Sequence, residues 1–120
     1  VTRSRATAKA AGAAFERLIA DHLAAVLDDR IDRRVKTGAA DKGDLAGVRL
    51  PDGRRVVVEA KDYGGRIQAA QWTREAQTEA SNDGAAVGVV VAKRRGTTRP
   101  EEQWVLMTVA ELVVLLGGTA

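Results

Sequence analysis

The sequence predicts a single α/β domain in which a central mixed sheet is flanked by helices, and three observations carry that reading. Apolar residues recur at helical spacing over residues 6–27 and, more weakly, over 67–81. Two valine-rich runs, one around Val56-Val57-Val58 and one over 86–92 (AVGVVVA), have the character of strands buried on both faces. Turn residues separate these segments, and the 120 residues contain no repeat, no low-complexity stretch and no second domain. Residues 1–120 therefore read as one domain.

Each element has its own justification. Residues 1–5 are polar and basic and read as a flexible arm. Over 6–27, Phe15, Leu18, Ile19, Leu23, Val26 and Leu27 make one apolar helix face, which Asp28-Asp29 ends. Residues 31–36 read as a short strand with Ile31, Arg33 and Val35 on one face, and 37–43 as a loop. Residues 44–50 and 54–62 are strand-like runs around Pro51-Asp52-Gly53, a strong hairpin signal. Tyr63-Gly64-Gly65 is a turn, and 67–81 a helix with Ala69, Trp72, Ala76 and Ala80 as its stripe, stopped by Asn82-Asp83-Gly84. A strand over 86–92, a basic loop over 93–102 and a strand over 103–107 follow. Thr108 then caps a last helix, with Glu111 completing a capping box. The order is helix, three strands, helix, two strands, helix.

Composition excludes several chemistries. There is no cysteine, hence no disulfide framework, thiolate zinc site or cysteine nucleophile, and the single histidine, His22, cannot build a His-based metal cage. Any metal must be held by oxygen, which selects hard ions such as Mg²⁺, with Mn²⁺ as substitute. No apolar run approaches the ~20 residues that span a bilayer, and the N-terminal residues lack the pattern of a signal peptide. No membrane partner and a cytoplasmic location are the expectation. The net charge of +3 is unevenly spread. Arg3, Arg5 and Lys9 form one basic group, Arg30, Arg33, Arg34 and Lys36 a second, and Lys93, Arg94, Arg95 and Arg99 a third, as suits a polyanionic partner.

Residues 43–62, GDLAGVRLPDGRRVVVEAKD, hold the candidate chemistry. Glu59 and Lys61 lie two apart on one strand and project from one face, directly after an apolar run where charge is costly unless paired or bound to metal. Asp44 begins the partner strand. A two-residue turn at Asp52-Gly53 sets Asp44 opposite Lys61, on the same face. A turn with Pro51 at its second position and Gly53 in a bulge shifts the register by one and moves Asp44 to the other face, unless a bend near Gly47 restores it. With convergence, Asp44, Glu59 and the carbonyl of Ala60 would hold Mg²⁺, and Lys61 would offset charge on a phosphate: a site for phosphodiester hydrolysis. The same residues also describe a cross-strand salt-bridge face.

Asp44 with Glu59-Ala60-Lys61 resembles the motif of the PD-(D/E)xK nuclease superfamily, an acidic residue opening one strand and (D/E)-x-K in the next. That superfamily's restriction-endonuclease-like core runs αβββαβ. Gly12-Ala13-Ala14-Phe15-Glu16-Arg17 is similar to the G-x-x-x-E-R helix segment of archaeal-type Holliday junction resolvases, and Gly43-Asp44-Leu45-Ala46 to their G-x-D-[IL]-[AIV] segment, with Gly and Asp adjacent here. The resemblance implies that Glu16 assists the metal site and that a glutamine of the following helix, Gln71 or Gln68, joins the catalytic group. It further implies Mg²⁺-dependent cleavage of branched duplex DNA by a homodimer, since a two-fold symmetric junction needs two active sites. Arg3, Arg5, Lys9, Arg33, Arg34, Lys36, Lys42, Lys93, Arg94 and Arg95 would grip the backbone, and Trp72, Trp104 or 112–116 would supply the dimer contact or plain core. Competing expectations are a repair or restriction-like nuclease acting on duplex ends, nicks or flaps, a non-catalytic DNA-binding module of the same fold, and a subunit that cuts only when a partner targets it.

Overall fold

The computed structural model describes residues 3–35 and 40–119. Its elements follow the expected order: α1 (Arg5–Val26), β1 (Asp32–Arg33), β2 (Leu45–Ala46), β3 (Val56–Lys61), α2 (Ala69–Asp83), β4 (Val87–Ala92), β5 (Trp104–Leu106) and α3 (Val109–Leu115). β3, β4 and β5 form a mixed sheet in that order, β3 parallel to β4 and β4 antiparallel to β5, while β1 and β2 make a separate antiparallel pair.

Period-two alternation on β3 and β4 divides the core. Val56, Val58 and Ala60 with Val87, Val89 and Val91 pack against Phe15, Ile19 and Ala20 of α1 and Val114 of α3. On the opposite face Val90 and Ala92 pack against Trp72 and Ala76 of α2. Burial of each such valine contributes about 1.5–3 kcal/mol. Gly88 lets α2 lie directly on β4, because a Cβ there would stand 2.2 Å from the Ala76 carbonyl oxygen. This division puts Glu59 and Lys61 under α2 and turns Ala60 towards α1.

Several local expectations are corrected. The start of the chain is docked from Arg3 onward rather than being a loose arm through residue 5. Ser4 caps α1 by accepting from the Thr7 amide at 3.1 Å, and Arg3 donates to the Asp62 carbonyl and carboxylate, each at 3.2 Å. The strand expected over 31–36 shrinks to Asp32–Arg33, with Ile31 buried and Val35 81% exposed, so those two do not share a face. Lys36 lies outside the described residues. At the last helix, Thr108 accepts from the Glu111 amide at 3.5 Å, but the Glu111 carboxylate accepts from the Thr108 hydroxyl and from Gln77, both at 2.8 Å, instead of closing a full capping box.

The hairpin adopts the second of the two registers. The Gly53 amide donates to the Leu50 carbonyl at 2.9 Å with Pro51 and Asp52 between them, Gly53 has φ +94°, and Arg49 pairs with Arg55. The bend near Gly47 is also present. Gly47 has φ +88°, and a Cβ there would meet the Arg30 carbonyl oxygen at 2.9 Å. At this bend Leu45–Ala46 leaves β3 and pairs with β1.

Candidate functional site

Beyond that bend the chain returns to the free edge of β3. The Asp44 amide donates to the Val58 carbonyl at 3.0 Å, and the Asp44 carboxylate Oδ2 accepts from the Ala60 amide at 2.8 Å. Asp44 thus completes the ladder with its side chain, buried at 3% exposure. Gly43 permits the approach: its φ is +92°, and a Cβ there would stand 2.8 Å from Val57 Cγ1. Because N–H and C=O of one strand residue point to the same edge, the Ala60 carbonyl faces the Asp44 side, whereas Lys61 O accepts from Lys93 N on the β4 side at 2.9 Å.

Glu16, Asp44, Glu59, Ala60 and Lys61 line one depression of about 870 Å³. Five residues anticipated from sequence are therefore neighbours in space. Glu16 reaches the depression from α1 and accepts from Arg33 Nε and Nη2 at 3.1 and 3.0 Å. Gln71 stands apart from this group. It borders a second depression, of about 550 Å³, on the α2 side of β3, where Glu59 and Lys61 also surface and where its amide reaches Glu75 at 3.5 Å.

That second depression holds acidic residues the sequence reading passed over: Asp41, Glu75 and Glu79. Lys61 Nζ bonds Glu75 at 3.0 Å, lies 3.8 Å from Glu59 Oε1 and sits 5.9 Å from the Trp72 ring centre. Asp41, Glu59 and Glu79 each offer a carboxylate oxygen within 4.8 Å of the others, a group able to hold a metal ion. A signal for Glu79 existed: it continues the buried α2 positions Trp72 and Ala76 at helical spacing, an acid on an apolar face. Asp41 carried no such signal.

Crowded carboxylates change one another's proton affinity. Burial, the Glu79 carboxyl and the Asp44 charge together push Glu59 up to about 10. Burial also raises Glu79, against its hydrogen bond with Glu59. Burial pulls Lys61 down, but the Glu75 bond and the Glu59 and Glu75 charges outweigh it and the net shift is upward, so the ammonium stays charged.

Of the basic residues singled out, Arg3, Lys9 and Arg95 border the first depression, joined by Arg66. Arg95 is held against the Gly64 carbonyl at 3.4 Å. Arg5 opens α1 and is exposed, as is Lys42 in its loop. Four others are engaged within the fold. Arg33 bonds Glu16, Arg34 pairs with Asp83 at 3.6 Å, Lys93 bonds the Thr97 carbonyl, and Arg94 lies 4.5 Å over the Trp104 ring. Trp72 is buried core, whereas Trp104 is 47% exposed on β5. Among the described residues no helix is long and apolar enough to cross a membrane. No protein family, curated protein or solved structure matches this chain.

Proposed function

We propose that the chain is a Mg²⁺-dependent DNA endonuclease built on a restriction-endonuclease-like core, acting on four-way junctions. One observation carries the reading: Glu16, Asp44, Glu59, Ala60 and Lys61 line a single open depression whose border includes Arg3, Lys9, Arg66 and Arg95. Carboxylates are suited to a hard cation, and basic side chains around them to a phosphate backbone.

The residues fit a divalent ion. Glu59 Oε2 is buried and lacks a hydrogen-bond partner, and the Asp44 carboxylate and Ala60 carbonyl lie at the same strand edge. A cation held by Asp44, Glu59 and the Ala60 carbonyl would supply Lewis-acid stabilisation of the charge that develops on the phosphodiester. Lys61, held charged beside Glu59 and Glu75, would offset that same charge. Glu16 and its partner Arg33 set the polarity of the α1 wall. Arg3, Lys9, Arg66 and Arg95 position the backbone without reading bases, as recognition by shape requires. Symmetric cutting of a junction calls for two chains. Trp104 and Val105 of β5, Leu112 and Val113 of α3 and Leu116 just after it are exposed apolar side chains open to such a contact.

The test is cleavage of a synthetic four-way junction beside a matched linear duplex, in Mg²⁺ and in EDTA. Paired nicks confined to the junction and lost in EDTA are the expected result. Equal cutting of both substrates would replace junction resolution with a repair or restriction-like activity. Binding without cleavage in any divalent metal would leave a DNA-binding module.

A further inference from the structure

On the α2 side of β3 three carboxylates far apart in sequence come together. Asp41, Glu59 and Glu79 each present an oxygen within 4.8 Å of the other two. Acidic clusters on surfaces are common, and burial distinguishes this one. Glu79 is only 6% exposed and Glu59 8%, and the Oε2 atom of each is closed off from solvent and meets no donor from the rest of the protein, the two carboxyls having only each other. Buried carboxylate oxygens persist where a cation satisfies them. The cationic side chains bordering this depression are Lys61 and Arg74. Lys61 is committed to Glu75 at 3.0 Å and lies 3.8 Å from the other oxygen of Glu59, and Arg74 is exposed. Neither serves the orphaned oxygen of Glu79.

We propose that Asp41, Glu59 and Glu79 hold a divalent, oxygen-preferring cation of the Mg²⁺ or Mn²⁺ class, in a second site on the α2 side of β3 that shares only Glu59 with the Asp44–Ala60 edge. Three carboxylates with room for water on the open side suit such an ion. The site also joins three parts of the fold. Asn82 of α2 donates to the Asp41 carbonyl at 2.8 Å, and the Asp41 carboxylate accepts from the Gly43 amide at 2.9 Å. A cation there ties this loop to β3 and α2 just before Asp44, and so positions Asp44. The site goes beyond the nuclease reading and stands whether or not the chain cuts DNA.

Mn²⁺ binding to the full chain, counted by electron paramagnetic resonance at neutral pH, tests it. Glu79→Gln and Asp41→Asn should each weaken one bound Mn²⁺ roughly tenfold or more, while Asp44→Asn leaves that ion in place. Circular dichroism checks that each variant is folded. Should Glu79→Gln fail to fold, Asp41→Asn, at an exposed position, decides the matter. Unchanged Mn²⁺ binding in both variants overturns the proposal and leaves a proton shared between Glu59 and Glu79. Loss of all bound Mn²⁺ in Asp44→Asn with retention in Glu79→Gln overturns it too. Mn²⁺ bound as expected by a chain that cuts no DNA refutes the nuclease reading alone.

Discussion

Replacing Glu59 with glutamine should make the metal-free protein more stable. The Glu59 carboxyl is raised from an ordinary 4.5 to about 10 by burial, by Glu79 and by Asp44. Between those values the folded chain carries a proton that the unfolded chain has released. Stability is thus fully present below 4.5 and falls as pH rises towards 10, by about 1.4 kcal/mol per pH unit for one such group. At pH 7 the accumulated cost is on the order of 3 kcal/mol. Glutamine keeps the shape of the protonated acid and never ionises, so Glu59→Gln should recover roughly 1–3 kcal/mol in EDTA, or about 4–10 °C in Tm for a chain of this size. Other perturbed groups do not interfere between pH 6 and 9. Asp28 and Asp52 are lowered and act below this range, and Lys61 is raised and acts above it. Glu79 is shifted the same way as Glu59 and so does not reverse the trend. Urea unfolding followed by tryptophan fluorescence at several pH values in EDTA measures the effect. A variant less stable than wild type, or wild-type stability that climbs from pH 6 to 9, would rule out a proton held on Glu59 in the folded chain.

Three further outcomes follow from the same geometry. Mn²⁺ affinity should climb with pH between 6 and 8, approaching tenfold per unit, since binding must displace the Glu59 proton; isothermal titration in buffers of different ionisation enthalpy counts that proton, and a flat profile contradicts the shift. Gly88→Val should cost about 3 kcal/mol or more in urea unfolding by driving α2 off β4, because even a Cβ meets the Ala76 oxygen at 2.2 Å; wild-type stability would refute that packing. Arg66→Ala and Lys9→Ala should each weaken DNA binding evenly across sequences and reduce the slope of log affinity against log salt by about 1, as fluorescence anisotropy reads; an unchanged slope removes those residues from the backbone contact.

Much of the fold was legible because burial leaves a local trace. Val56-Val57-Val58 and residues 86–92 are apolar on both faces because helices cover both faces of β3 and β4. Glu59 and Lys61 were conspicuous as charges ending such a run, and alternation alone put them on one face. The position of Asp44 was not legible, since it depends on the turn closing at Leu50 and Gly53 and on the bend at Gly47, whose effects on register oppose each other. β1 was overestimated because its extent depends on the two residues that this bend makes available. Asp41 and Glu79 meet Glu59 only once α2 is laid across β3, a tertiary contact with no counterpart in local spacing. The basic residues show a related limit: composition counts charges, but only the fold shows that Arg33 and Arg34 face Glu16 and Asp83.

Single-turnover cleavage of a four-way junction by wild type and Glu59→Gln, with DNA affinity measured in parallel, separates metal-dependent chemistry at Glu59 from DNA binding. Mg²⁺-dependent cutting by wild type and a loss of at least about a hundredfold in the variant are expected, with binding little changed and the fold more stable in EDTA. Equal cutting by both proteins, or no cutting by a wild-type chain that binds the junction in Mg²⁺ and in Mn²⁺, would contradict that chemistry.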